Sequence, residues 1–261
     1  MSNIPLTGDD VFLAGGMWNS FLFHSKMSRS NKLRALEGMN NHIASCHEHL
    51  QNARALIVTL GTAMVYRHRP SGCVVSNCHK LPGHEFVRSM ASIEAMTDAL
   101  HNAFAELLKL NPNINIIITV SPIRHIADGL SQNSLSKAML RVVADNIVRL
   151  MPDKVTYFPS YEIVMDDLRD YRFYAADMVH PSDVAVEYIW QAFQATFFDD
   201  RTSQAVSRCE RVNKRLNHRH ITDNPDAIAR FDADTRAVVA NLIKEYPYIA
   251  SHPAIKAATM I

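Results

Sequence analysis

No apolar run in this 261-residue chain approaches the roughly twenty residues that a membrane helix needs, which argues against a spanning segment. Cysteine is scarce. Cys46, Cys73, Cys78 and Cys209 are unevenly spaced and no signal peptide precedes them, so they read as reduced thiols in a cytoplasmic protein. An excess of one charge is also missing: 27 Lys and Arg against 26 Asp and Glu leave +1, which argues against a nucleic-acid or membrane surface built on bulk charge. There is no internal repeat and no low-complexity tract. What is plentiful is apolar surface, 48% of residues, enough for a sizeable core and against disorder. The length suits one large domain or a domain with an appendage.

Along the chain, residues 1–29 are irregular, with a short extended segment near 17–25. Leu33, Leu36, Met39, Ile43, Cys46 and Leu50 recur at helical spacing over 31–53. Residues 55–60 form a short apolar run rich in branched side chains that stops at Gly61, the pattern of a buried parallel strand. A hairpin follows, 64–68 and 73–77 around the turn 69–72. Residues 83–110 read as helical, broken near 89–92, with Ser92 capping the longer piece. A second buried strand covers 114–120 and ends at Ser121-Pro122; 123–131 is a loop and 134–150 a helix. A third strand, 155–158, precedes a short helix at 160–168 and an amphipathic helix at 181–198. Strands alternating with helices predict an α/β fold, a parallel sheet sandwiched between helices. Residues 201–261 are polar, helical in period and without strands, so the expected division is an α/β domain at 1–200 and a helical extension at 201–261.

The sharpest chemical signal lies at the end of 158–181, where Glu162, Asp166, Asp167, Asp170, Arg169 and Arg172 crowd ahead of Asp177-Met178-Val179-His180-Pro181. An Asp three residues before a His on one loop can hold the imidazole by its Nδ1–H, leaving Nε2 to take a proton from a nucleophile. Active residues of parallel sheets gather at the carboxyl ends of strands. Those ends here carry Gly61-Thr62-Ala63, Ser121 to His125, and the loop reaching His180. Arg124 is expected to pair with a carboxylate in 166–177, and Arg169, Asp170 and Arg172 to form an ion-pair network that stiffens the loop.

Several blocks in order, TLGTAMVY at 59–66, NCHKLP at 77–82, TVSPIRH at 119–125, YE at 161–162 and LRDYRFY at 168–174 leading to DMVHPS at 177–182, resemble the GSCFA domain family. That family is similar to the SGNH/GDSL hydrolases, and the resemblance runs to about residue 219. It implies a three-layer α/β/α sandwich. It also implies that Asp177 and His180 match the acid and base of an SGNH-type triad, and that Gly61 matches the glycine of that superfamily's Gly-x-Asn-Asp block. The chain departs from the pattern twice. Ala63 stands where an SGNH hydrolase places an oxyanion-donating asparagine. The Gly-Ser-Cys-Phe-Ala segment that names the family and carries its nucleophile is absent, so the chain is expected to begin after it.

The resemblance implies hydrolysis of an acyl or acetyl ester, of a small molecule or a carbohydrate. Gly61, the backbone N–H near Thr62, the Asn77 amide, Arg124 and His125 would face the substrate or its oxyanion. No cofactor or metal is expected, and no nucleic-acid or membrane partner. The strand at 55–60 would lack its neighbour, which favours self-association through an exposed sheet edge. Two other classes stay open. One is an inactive binding or scaffold protein of the same fold. The other is a zinc protein using Cys73, Cys78, His79 and His84, whose spacing matches no standard finger.

Overall fold

Gly15 and Gly16, both left-handed at φ 57° and 72°, turn the chain between β1 (Phe12–Ala14) and β2 (Met17–Asn19). The backbone twist of such a turn matches that of an antiparallel pair. The segment expected to be irregular therefore carries a hairpin. The computed structural model describes residues 3–219, 221–252 and 255–256. Their contacts group them into two compact units, Met1–Glu187 and Tyr188–Ile261.

In the first unit α1 (Lys32–Asn52) is capped by Asn31 and buries Ala35 and Met39. Then come β3 (Ala55–Leu60), β4 (Met64–His68) and β5 (Val74–Val75). Residues 86–90, expected to be helical, instead form β6 (Phe86–Met90), antiparallel to β4 with His68 opposite Phe86 and Met64 opposite Met90. Tertiary contacts override the local preference. Phe86 is buried, with its ring 5.5 Å from His68 and 6.2 Å from Phe21. Ser92 caps α2 (Ile93–Leu110) as expected, its side chain accepting from the Ala95 N–H. β7 (Asn115–Val120), α3 (Leu130–Leu150) and β8 (Val155–Phe158) follow. α3 starts four residues earlier than its pattern suggests, directly after the left-handed Gly129. A single turn, α4 (Ser160–Glu162), runs into a π-helical segment, Ile163–Leu168.

β7 lies between β3 and β8 in a parallel sheet, with Leu60 opposite Val120 and Thr119 opposite Phe158. Ile116, Ile117, Ile118, Thr119 and Val120 are all buried, which is why this strand reads as an unbroken apolar run. Phe104, Leu107, Ala144 and Ile147 of α2 and α3 pack on Ile116, Ile118 and Val155. Ser160 meets the opposite face: its hydroxyl lies 2.6 Å from Thr119 Oγ1 and donates to the Val120 carbonyl. β3 is parallel as expected but less buried. Leu56, Val58 and Leu60 turn inward while Ala55, Ile57 and Thr59 are exposed, Ile57 by 54%. Among the described residues β7 is its sole strand partner, so β3 forms an edge.

α5 (Asp183–Phe197) crosses from the first unit into the second. In the second unit α6 (Asp200–Leu216) and α7 (Pro225–Glu245) join over Ala205, Val212, Val239, Leu242 and Tyr246. Among the described residues no helix is long and apolar enough to cross a membrane.

Candidate functional site

Residues 173–182 fold back on themselves. Tyr174 bridges Pro181, the Ala175 N–H donates to the His180 carbonyl at 2.8 Å, and the Ser182 N–H donates to the Phe173 carbonyl at 2.8 Å. Asp177 and His180 sit at the tip. Met178 between them is left-handed at φ 57°, which costs a side-chain-bearing residue on the order of 1 kcal/mol. That turn brings the Val179 and His180 N–H groups onto Asp177 Oδ1 at 2.9 and 3.0 Å. Oδ2 is left for His180 Nδ1, at 2.6 Å. The His180 N–H, then the Val179 N–H, then the ring push the Asp177 pKa down to about 2. The carboxylate is therefore ionised at neutral pH and requires a proton on Nδ1, so the neutral ring presents Nε2 as an acceptor. Both side chains are about half exposed, 49% for Asp177 and 57% for His180.

The Arg124 N–H donates to the Val179 carbonyl at 3.3 Å, so the loop after β7 touches the His180 loop directly. The Arg124 side chain corrects an expectation. Its guanidinium lies 4.1 Å from the Tyr174 ring centre and 5.4 Å from that of Tyr171, a cation–π site rather than a carboxylate pair. The expected network at 169–172 shrinks likewise. Arg172 Nε and Asp170 Oδ2 stand 3.8 Å apart and exposed, while left-handed Arg169 closes the π-helical segment through its own N–H. Backbone hydrogen bonds, not ion pairs, hold this loop.

Beside Arg124, the His125 ring faces the Gly61 backbone. Burial, then the nearby Lys137 charge, lowers the His125 pKa, so the ring is neutral at pH 7. A Cβ built on Gly61 would meet only His125 Nε2, at 3.8 Å, an ordinary contact. The Thr62 hydroxyl accepts from the Met64 N–H and lies 3.2 Å from Ser136 Oγ; the Ala63 N–H donates to Ser136 Oγ at 2.7 Å. Asn77 lies after β5, its Oδ1 accepting from the His79 N–H at 2.7 Å, and among the described residues no hydrogen bond joins it to the strand-end turns. The structure thus links Gly61, His125, Arg124 and the Asp177–His180 loop in one chain of contacts and leaves Asn77 in a turn of its own.

Cys78, Ser76 and Ser121 are not prepared to act as the nucleophile. Burial raises the Cys78 pKa, the reverse of a reactive thiol. The Ser76 hydroxyl donates to the Phe21 carbonyl, and Ser121 Oγ accepts from the Ile123 N–H. The zinc candidates do not converge: among the described residues no group of three or more His, Cys, Asp or Glu side chains is placed to hold a metal ion.

Sequence reasoning missed Ser136 and Lys137. Lys137 is 1% exposed, and its Nζ donates to the Gly61 carbonyl at 2.6 Å and the Ser121 carbonyl at 2.7 Å. Desolvation lowers its pKa to about 8. A signal existed: Lys137 shares a helical stripe with Leu140, Ala144 and Ile147, all buried. Also missed was Glu162, which accepts from the Tyr157 hydroxyl and from Arg141 Nε, with Arg141 4.2 Å from the Tyr157 ring centre.

The chain has no match among curated proteins or solved structures. The model of the GSCFA family matches residues 1–193, which contain the Asp177–His180 loop, both strand-end turns and Lys137. The chain belongs to the GSCFA family.

Proposed function

We propose that the chain carries the acid–base half of an SGNH-like ester hydrolase site. The observation that carries this reading is the Asp177 carboxylate 2.6 Å from His180 Nδ1 on a half-exposed ring. In this reading a seryl hydroxyl attacks the ester carbonyl. His180 Nε2 takes the seryl proton as the Oγ–C bond forms, then returns it to the departing alkoxide oxygen. Water repeats the cycle on the acyl-serine and releases the acid. Ionised Asp177 fixes the tautomer and stabilises the imidazolium. Gly61 and His125 would line the acyl side and Arg124 the lip. The substrate class is a small-molecule or carbohydrate ester, and no cofactor enters.

The open edge of β3 supports a place for the nucleophile. A Gly-Ser-Cys-Phe-Ala strand added parallel to β3 would end its carboxyl edge beside Gly61 and pair with the open backbone groups of β3. Without such a strand, this edge is where a second copy of the chain would pair.

The test compares ester hydrolysis by the chain with that by a form extended N-terminally through a Gly-Ser-Cys-Phe-Ala segment, using p-nitrophenyl acetate and an acetylated sugar. Turnover by the extended form that disappears with His180→Ala supports the proposal. A second reading, a binding or scaffold protein of the same fold, rests on the engaged state of Ser76, Ser121 and Cys78. Absence of turnover in both forms favours it. Turnover by the unextended chain that requires His180 would move the nucleophile to Ser121 or Ser76.

A further inference from the structure

The last rung between β3 and β7 is the Ser121 N–H donating to the Leu60 carbonyl at 2.9 Å. Beyond it the strands part, and the ladder offers no donor to the next two carbonyls, those of Gly61 and Ser121. Both instead receive the same atom, Lys137 Nζ. The preceding residue of α3, Ser136, holds the Ala63 N–H and contacts the Thr62 hydroxyl. Two consecutive residues of one helix therefore fasten both strand-end turns from beneath.

We infer that Lys137 is a positioning residue of the candidate site: by bridging the Gly61 and Ser121 carbonyls it sets the separation of the two turns, and through the turn that runs from Ser121 to Arg124 it sets where the His180 loop docks. Calling this a site rests on the function proposed above; the geometry of the bridge does not. Three observations carry the inference. Lys137 is 1% exposed and both hydrogen bonds of its amine go to the turns, so it acts on the turns and not on a substrate. The two acceptors belong to different strands, so the bridge fixes a distance, as a bond within one turn would not. Only two residues, Pro122 and Ile123, lie between Ser121 and Arg124, whose N–H holds Val179, the neighbour of His180. A side chain without donors would fill the space yet leave both carbonyls free to turn, and movement of the 121–124 turn would be passed to the dyad.

The remaining charged groups near the bridge are on the loop side. The His125 ring lies on the Gly61 backbone, and Asp128, paired with Arg88, lies beyond it. They act on His125 and leave the two carbonyls to Lys137.

The experiment is heteronuclear NMR of the imidazoles in the full chain, with His180 assigned through His180→Gln, comparing wild type with Lys137→Met and Lys137→Arg. Lys137→Met should move the His180 titration midpoint by about 0.5 unit or more and shift its ring nitrogens, since the Asp177 contact is disturbed. Lys137→Arg, which keeps donors, should restore part of the shift. Urea denaturation runs in parallel. A folded Lys137→Met with lowered stability but unchanged His180 resonances overturns the inference and leaves Lys137 as a stabilising residue alone. Where Lys137→Met does not fold, Lys137→Gln takes its place: its amide can reach one carbonyl, and an unchanged His180 signal overturns the inference in the same way. None of these readouts uses an ester, so a failure of the hydrolase proposal and a failure of this inference are told apart.

Discussion

Two ionisable sites lie at this end of the first unit and are held in opposite ways. Asp177 is half exposed, and its charge is satisfied by two backbone N–H groups and one imidazole within four residues of chain. Lys137 is buried, and its donors are taken by two carbonyls from turns that lie 76 and 16 residues away in sequence. The first is a local device that a short peptide could form in outline. The second exists only once the sheet and α3 have come together. The dyad is therefore open to a ligand and held by its own loop, while the lysine is closed to ligands and tied to the fold.

Asp177→Asn should produce the largest effect, and it should fall on activity. The amide would favour the wrong imidazole tautomer, so hydrolysis by the extended form should fall on the order of 10³–10⁴-fold, measured as kcat on p-nitrophenyl acetate. A loss below about tenfold would show that the carboxylate does not orient a catalytic base.

Lys137→Met should reverse that pattern and act on stability. Each carbonyl left without its donor costs roughly 1–3 kcal/mol, so urea unfolding should shift by about 2–6 kcal/mol. A change below about 0.5 kcal/mol would mean that the bridge contributes little and would weaken the contrast with the dyad.

The two sites should also separate by pH. Asp177 has a depressed pKa, about 2 against an ordinary 3.8, so its contribution is complete above about pH 4 and is lost as pH falls toward 2. For Lys137, about 8 against 10.5, the folded state gives up a proton while the unfolded state still holds one. The unfolded state thus binds more protons across that window, and stability should rise with pH from about 8 to 10.5. Denaturation midpoints in wild type and Lys137→Met would check this, since only wild type should show the alkaline rise. A like slope in both would assign it to other groups.

Arg172→Ala should have the smallest effect. Its contact with Asp170 is long and exposed, so stability should change by less than about 0.5 kcal/mol in thermal unfolding. A larger loss would restore the ion-pair network to the account of this loop.

The same contrast explains what the sequence could show. Asp177 and His180 are three residues apart, and a pattern of that length can be read directly. The strands at 55–60, 114–120 and 155–158 were legible because branched apolar runs between turn residues have few other uses. β6 was not, because 86–90 carries no strict alternation and becomes a strand through pairing with β4 and packing of Phe86. The partners of Arg124 were misjudged because nearby carboxylates outnumber tyrosines in 161–177, whereas the fold delivers Tyr171 and Tyr174. The exposed face of β3 was not legible, since Ile57 belongs to an apolar run whichever face it takes. Lys137 stayed hidden for lack of any local rule that places a charge under two distant turns.

The bridge also makes the protein a recorder of its own breathing. A solvated lysine amine can be acylated at alkaline pH, yet Lys137 is shielded from reagents while both carbonyls hold it. Acylation of that one lysine, followed by mass spectrometry, therefore proceeds only in molecules whose strand ends have come apart. Its rate measures how often the sheet opens there, and an added strand or ligand at that end would appear as a slowing of the label.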